Sequence, residues 1–360
     1  MSELRQILEL WREARENGEE ICLATVVEVE GSSYRKPGAR MLLARGGRRA
    51  AGTISGGCLE AEVQKKAWWL TESGSTVQRY NSFFDEDSEM PYGLGCGGTV
   101  SVLLERGEAA ESVLAALEQS LESRRGAVFV SVINTDTPEK IGTRFILAED
   151  GQVLFESGVP GEAVALARQA LRERRSLWRR DKISVFAEYA APRVGLLVIG
   201  AGNDAQPLVE FANRLGWQVT VVDGRSNLAT RERFPLAERV FALKSFDELS
   251  LTDRDAAVIL THSYEQDRAA LRQLLPSGAG YLGILGPRQR TARLLAEVAP
   301  ELGLPVEECS ARLHSPVGLN IGGKDPTSIA LAITAEIHAV MEGSGAKSLE
   351  NAGYPPAVHA

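Results

Sequence analysis

A chain of 360 residues carrying a formal net charge of −8 is too long for one small core and too acidic to coat nucleic acid non-specifically. Its four cysteines form no CxxC or CxxH pair, which argues against a disulfide framework and a structural zinc site. No apolar run reaches the roughly 18 residues of a membrane span, and the first residues lack the basic start of a secretory signal. The expectation is therefore a reducing cytoplasm, no membrane, and free thiols.

The opening stretch, "MSELRQILELWREARENGEE", predicts an amphipathic helix. "CLATVVEVE", rich in β-branched residues and closed by Gly31, predicts a strand, and "ARMLLARGG" a second one ending in a glycine turn. Between them "GSSYRKPGARM" gathers Ser32, Ser33, Arg35, Lys36 and Arg40 around a turn, a set suited to an anionic ligand. A helical pattern runs from Leu59 to Leu70, which puts Cys58 of "GTISGGCLE" at or just before a helix start, where N–H groups and the helix dipole favour a thiolate. Cys96 sits in a second glycine cluster, "GLGCGGT". Glycine allows close approach of a ligand to the backbone, so Cys58 and Cys96 are candidate nucleophiles or metal ligands. The bland alternative is two small side chains filling space beside turns. Cys22, within an apolar strand, reads as core, and Cys309 as part of a polar loop.

β character continues at "TVQRYNSF", "GTVSVLLER" and "GAVFVSVINT", with helices over "AAESVLAALEQSLES" and "GEAVALARQALRERRS" and a hairpin at "TRFILAEDGQVLFES". "RERR" and "WRRD" read as solvated helix faces, and "EYAAPRVG" as a linker around Pro192. The chain shows no repeat of solenoid length. From Gly195 strands and helices alternate, which predicts a parallel sheet. The expected fold class is α/β, with an N-terminal mixed α/β domain over residues 1–190, a Rossmann-like domain over 193–342 and a flexible tail over 343–360.

In the second half "VIGAGNDA" places Gly200, Gly202 and Ala205 in the spacing GxGxxA after an apolar strand, and Asp223 ends the next strand where a ribose-binding acid is expected. His262 of "THSYEQD" lies at the carboxyl end of a strand, placed for proton transfer or metal contact, or else satisfied by neighbouring backbone. Arg288 and Arg290 open an arginine-rich helix and are candidate phosphate partners. In "GLNIGGKDPTSIALA" Asp325 is a helix cap with Pro326 at the first helical position, and Lys324 offers a cation to an anion.

Taken in order, "GSSYRKPGARM", "GTISGGCLE", "GCGG", "VIGAGNDA", "VVDGR", "THSYEQD", "YLGILGPRQR" and "HSPVGLNIGGKDPTSIALAITAEI" resemble the XdhC/CoxI family, from about Cys22 to Met341. The resemblance implies an accessory protein for molybdenum hydroxylases rather than an enzyme. Such a protein binds the molybdenum cofactor (molybdopterin) as cargo while the metal gains a terminal sulfur, and delivers it to an apo-enzyme of the xanthine dehydrogenase type. It also implies a cysteine desulfurase partner and a homodimer. Cys58 and Cys96 match the family's two "GC" positions, and Gly200, Gly202 and Asp223 its Rossmann motif. One departure is Asn203 followed by Asp204, where many members carry a histidine after the "GAG" triplet. The residues alone leave open an NAD(P)-dependent oxidoreductase with His262 as its proton-transfer group, and the junction of the two halves is the expected ligand site.

Overall fold

The computed structural model describes residues 2–45, 49–57, 59–81, 98–243, 251–348 and 350. The chain divides into two compact units, Glu3–Pro192 and Arg193–Tyr354, with the first two residues grouped with the latter.

The first unit runs α1 (Glu3–Glu16), β1 (Ile21–Gly31), β2 (Arg40–Ala44), β3 (Arg49–Gly52), α2 (Glu60–Leu70), β4 (Thr76–Asn81), β5 (Gly98–Arg106), α3 (Gly107–Ser123), β6 (Ala127–Thr135), β7 (Arg144–Ala148), β8 (Val153–Glu156), α4 (Gly161–Glu173), β9 (Leu177–Arg179) and β10 (Ile183–Ala190). Its strands form two antiparallel five-stranded sheets, ordered β3-β2-β1-β5-β4 and β8-β7-β6-β10-β9. The long buried run of β1 follows from its position, covered on both faces. Leu23 and Val27 pack against the other sheet's Phe129, Ile133 and Phe186, while Cys22, Ala24 and Val26 pack under Val63 and Ala67 of α2. On the second sheet's far face, α4 plays the part of α2, through Ala163, Ala167 and Ala170. Each fully buried large side chain in these layers contributes about 1.5–3 kcal/mol.

The two sheets are built on one plan. Each is helix, three strands, helix, two strands, with the same spatial order. β2 opens "RMLLA" and β7 opens "RFILA", each with a glycine two residues upstream. The local hydrogen bonds coincide: Gly38 N–H donates to the Val26 carbonyl and Val26 N–H to the Ala39 carbonyl, as Gly142 N–H donates to Val132 and Val132 N–H to Thr143. A bulge falls at Val27 in one copy and at Ile133 in the other. The leading arginines are exchanged: Arg40 binds Glu188 of β10 through both guanidinium nitrogens, one at 2.8 Å, and Arg144 binds Glu105 of β5. All four charged groups are buried between the sheets.

The second unit runs β11 (Gly195–Ile199), α5 (Ala205–Arg214), β12 (Gln218–Asp223), β13 (Arg239–Ala242), β14 (Asp255–Ile259), α6 (Tyr264–Leu274), β15 (Tyr281–Ile284), α7 (Arg288–Leu302), α8 (Val306–Arg312), β16 (Leu313–His314) and α9 (Pro326–Met341). The six strands are all parallel, ordered β13-β12-β11-β14-β15-β16, with α5 and α9 on one face and α6, α7 and α8 on the other. This is a Rossmann sheet, as the alternation from Gly195 requires.

Three local expectations are corrected. Cys309 lies in α8 rather than a polar loop, buried against the α6–α7 face. The "WRRD" run is strand up to Arg179, because Trp178 stacks on Phe186 at 4.9 Å and donates to the Val27 carbonyl. The linker is shorter than read, since Glu188, Tyr189 and Ala190 complete β10. Cys22 is core, and burial pushes its thiol up to about 12. Among the described residues no helix is long and apolar enough to cross a membrane.

Candidate functional site

Two places hold the sequence-derived candidates. The first is one end of the β3-β2-β1-β5-β4 sheet, where the 32–36 loop, the 53–57 turn and the start of β5 converge. Gly98 opens β5 so close to the first loop that a Cβ there would stand 2.1 Å from the Ser32 carbonyl oxygen. Ser32 is exposed, Arg35 is ion-paired with Glu3, and Arg40 is turned into the sheet interface. Cys58 and Cys96 both lie outside the described residues.

Glu60 at the start of α2 organises the turn that precedes Cys58. Its Oε1 accepts from the N–H groups of Ile54, Ser55 and Gly56 at 2.9–3.1 Å, and its Oε2 from Gly57 N–H at 2.8 Å and the Ser55 hydroxyl at 2.6 Å. The Ser55 oxygen in turn accepts from Leu59 N–H. Burial pushes this carboxyl up, but the hydrogen bonds from Ser55 and Gly56 outweigh it and hold it down at about 2. The turn is thus a nest of amides closed on an internal anion. Its N–H groups are engaged by Glu60, so the chemistry left to this turn is that of its bare glycine backbone and the thiol next in sequence.

The second place is the carboxyl edge of the parallel sheet. Gly200 turns the chain against the Leu260 carbonyl, 2.5 Å from where a Cβ would stand, and Gly202 precedes α5. Asp223, at the end of β12, is buried and fully engaged: its oxygens accept from Ala201 N–H at 2.7 Å, from Arg225 N–H at 2.8 Å, and from two guanidinium nitrogens of Arg225. Burial raises this carboxyl, yet the bonds from Arg225 and Ala201 win and place it below its ordinary value. Four accepted hydrogen bonds use the capacity a carboxylate has, leaving none for a ribose hydroxyl in this arrangement.

His262 has a left-handed backbone (φ 58°), uncommon for residues other than glycine, and is largely exposed. Its Nε2 lies 2.8 Å from Asp204 Oδ2, a contact that spans the strand-order reversal between β11 and β14. An imidazole oriented by a carboxylate can hold or move a proton, and here the carboxylate stands where a dinucleotide's pyrophosphate would meet the helix start. Arg290 is committed to buried Asp267 at 2.7 Å, whereas Arg288 and Lys324 are exposed. The Asp325 side chain accepts from Thr327 and Ser328 N–H at 3.0 and 3.1 Å, capping α9 as its sequence predicts. Asp325→Ala is expected to lower unfolding stability by about 1 kcal/mol, read from a urea midpoint.

Glu60 and Asp204 carry more of these arrangements than their sequence context announces. The signal for Glu60 was present, a carboxylate in the first turn of a helix that follows a glycine pair. Asp204 showed only as a departure from the usual "GAG" context.

Comparison with known proteins follows this division. Residues 196–337 match the description "XdhC Rossmann domain" and residues 14–81 the description "XdhC and CoxI family". A probable xanthine dehydrogenase subunit of Bacillus subtilis strain 168 is 32% identical over 328 residues, covering 89% of this chain and 93% of that protein. A molybdenum cofactor insertion chaperone of Escherichia coli K12, PaoD, is 27% identical over 346 residues, covering 93% of this chain and 88% of the chaperone. The crystal structure of a xanthine dehydrogenase from Bacillus halodurans superposes with a TM-score of 0.77 at 29% identity, covering 97% of this chain and 98% of the other. The chain belongs to the XdhC and CoxI family.

Proposed function

We propose that this protein is an accessory chaperone that binds the molybdenum cofactor, shields it, and delivers it to a molybdenum hydroxylase of the xanthine dehydrogenase type. The reading rests on the relatives above and on one observation in particular. The turn leading to Cys58 is held by five hydrogen bonds to Glu60, with exposed glycines at its tip. Among the described residues nothing stands near the Cβ position of Gly57, the residue before this thiol, and a soft thiolate suits a dithiolene-bound molybdenum. Cys58 is the first metal-meeting thiol in this reading and Cys96 the second. A cysteine desulfurase as sulfur source, self-association into a dimer, and a cytoplasmic setting complete it. Residues 1–190 form the cargo-thiol half and 193–342 the Rossmann half. The engagement of Asp223 counts against NAD(P) as the ligand of that second half.

The test is molybdenum and pterin analysis of the full chain after incubation with excess cofactor and gel filtration. Wild type is expected to retain near-stoichiometric molybdenum, and Cys58→Ala to lose most of it. Wild type that retains no molybdenum would sink the chaperone reading. Equal retention by wild type and both the Cys58→Ala and Cys96→Ala variants would keep the chaperone and remove the thiols from its site.

A further inference from the structure

Three cationic side chains stand along the carboxyl edge of the parallel sheet, and each is held by its own carboxylate. Arg225, after β12, is bonded through Nε and Nη2 to Asp223. His262, after β14, is bonded to Asp204 at the start of α5. Arg290, in the first turn of α7 after β15, is bonded to Asp267 of α6 at 2.7 Å, and the Thr261 hydroxyl donates to the same carboxylate. In each pair the acid is the inner member. The Asp223, Asp204 and Asp267 side chains are 0%, 18% and 1% exposed, against 46%, 64% and 24% for Arg225, His262 and Arg290. A carboxylate buried behind a cation fixes the direction in which that cation is presented.

The pairs are also coupled. Burial raises the Asp267 carboxyl, while Thr261, Arg290 and His262 act against it, so the imidazole lies within electrostatic reach of the Arg290 pair. The bond to Asp223 holds the Arg225 guanidinium above its ordinary value, and the charge of Asp204 adds to it. Donors remain to spare. Among the described residues, Arg225 Nη1, Arg290 Nη1 and His262 Nδ1 have no hydrogen-bond partner. Gly286 leaves room beside Arg290, whose Nη1 lies 3.4 Å from where a Cβ on that glycine would stand. The glycine turn before α5 is not free to seat an anion, because Asp204 Oδ1 lies 2.5 Å from where a Cβ on Gly202 would stand. An incoming anion meets the cations instead. Neighbouring strands stand about 4.8 Å apart, so the row from β12 through β11 and β14 to β15 extends over about 14 Å, more than one phosphoryl group covers.

We propose that the second unit binds a diphosphate ester across this row, with His262 and Arg290 as its principal contacts and Arg225 as its outer one. Guanidinium groups grip phosphoryl oxygens through charge-assisted N–H donors, and the imidazole joins them when both ring nitrogens carry protons, Asp204 balancing its charge. The proposal stands apart from the chaperone reading, since it needs neither thiol nor molybdenum. It also differs from dinucleotide binding at a glycine turn. There an acid meets the ribose and the helix start meets the phosphate, and in this chain both places are taken by its own groups.

The experiment is calorimetric titration of the full chain with pyrophosphate, ADP and adenosine. Wild type is expected to show one saturable site per chain for pyrophosphate and for ADP, and none for adenosine. Equal affinity for the first two makes the diphosphate the whole of what is recognised, and ADP held about tenfold more tightly makes the ligand a nucleotide; both uphold the site. His262→Asn tolerates the left-handed backbone, and Arg290→Lys keeps a cation beside Asp267 without the guanidinium fork. Each is expected to bind pyrophosphate about tenfold more weakly, the factor of one hydrogen bond to a charged group, with an unchanged melting temperature. Arg293→Gln, which removes an exposed arginine of α7 outside the row, is expected to bind within about twofold of wild type. Wild type that takes up neither pyrophosphate nor ADP would overturn the proposal, as would wild-type affinity in either His262→Asn or Arg290→Lys. Equal loss in Arg293→Gln would assign binding to the general charge of α7, and adenosine bound as tightly as ADP would assign it to the base; either result also overturns the proposal.

Discussion

Arg144→Met is expected to destabilise the first unit by about 3–5 kcal/mol, the usual consequence of leaving one member of a buried ion pair without the other. Glu105 is fully buried, and Arg144 is the group that holds its charge there. Burial already raises the Glu105 carboxyl above its ordinary value, with Arg144 acting in the opposite sense. Without the guanidinium that carboxyl rises further. A carboxyl whose folded value exceeds its unfolded one is better tolerated protonated, so folding of the variant weakens as pH rises from the unfolded value through the folded one. The deficit relative to wild type should therefore be largest at neutral pH and shrink on acidification toward pH 5. Urea midpoints at two pH values read this directly. The double variant Arg144→Met with Glu105→Leu should recover most of the loss, because an apolar pair of similar volume needs no solvation. A single variant as stable as wild type at pH 7 would show that the pair does not carry the sheet interface.

Glu60→Gln is expected to reduce stability by about 1–3 kcal/mol and to loosen the Cys58 turn. Glutamine matches the shape, but its amide nitrogen would face the Gly57 N–H and the Ser55 hydroxyl, placing donor against donor on one side of the nest. The pH dependence distinguishes this from simple loss of packing. The folded carboxyl lies at about 2, below its ordinary 4.5. The stabilisation from its charge is thus fully present above the ordinary value and disappears as pH falls toward the folded one. Between pH 5 and pH 2 wild type should lose a stability increment that Glu60→Gln lacks, so the two curves converge in acid. Parallel curves would mean that the charge of Glu60 does not hold the turn. If the turn presents Cys58, cofactor retention at pH 7 should fall with the same substitution.

Much of the second unit is legible in the sequence because apolar strand, glycine turn and amphipathic helix recur there with clear boundaries. β13 and β16 escape, being four and two residues long, too short to show a period. In the first unit β9 is a three-residue strand whose one arginine, Arg179, reads with Arg180 as a solvated run; its place in the sheet depends on Trp178 meeting Phe186 and Val27, contacts that chain order does not announce. The candidate site was legible as composition but not as connection. Asp223 was recognisable by spacing, while its engagement by Ala201 and Arg225 depends on how the turn closes. Arg40 reads in sequence as a cation beside a turn, yet its partner Glu188 lies far along the chain. The likeness of the two sheets was hidden because nearly every side chain differs between them, and only "RMLLA" and "RFILA" keep an audible echo.

The exchanged arginines have a consequence for how the first unit can be divided. A piece ending at the β5–α3 junction would hold Arg40 and Glu105 and leave both counterions, Glu188 and Arg144, on the other piece. Neither piece is self-sufficient, and each carries what the other is missing. Severed there, the two fragments are complements rather than domains, and a fragment left alone has in a second copy of itself the same pattern of opposite charge.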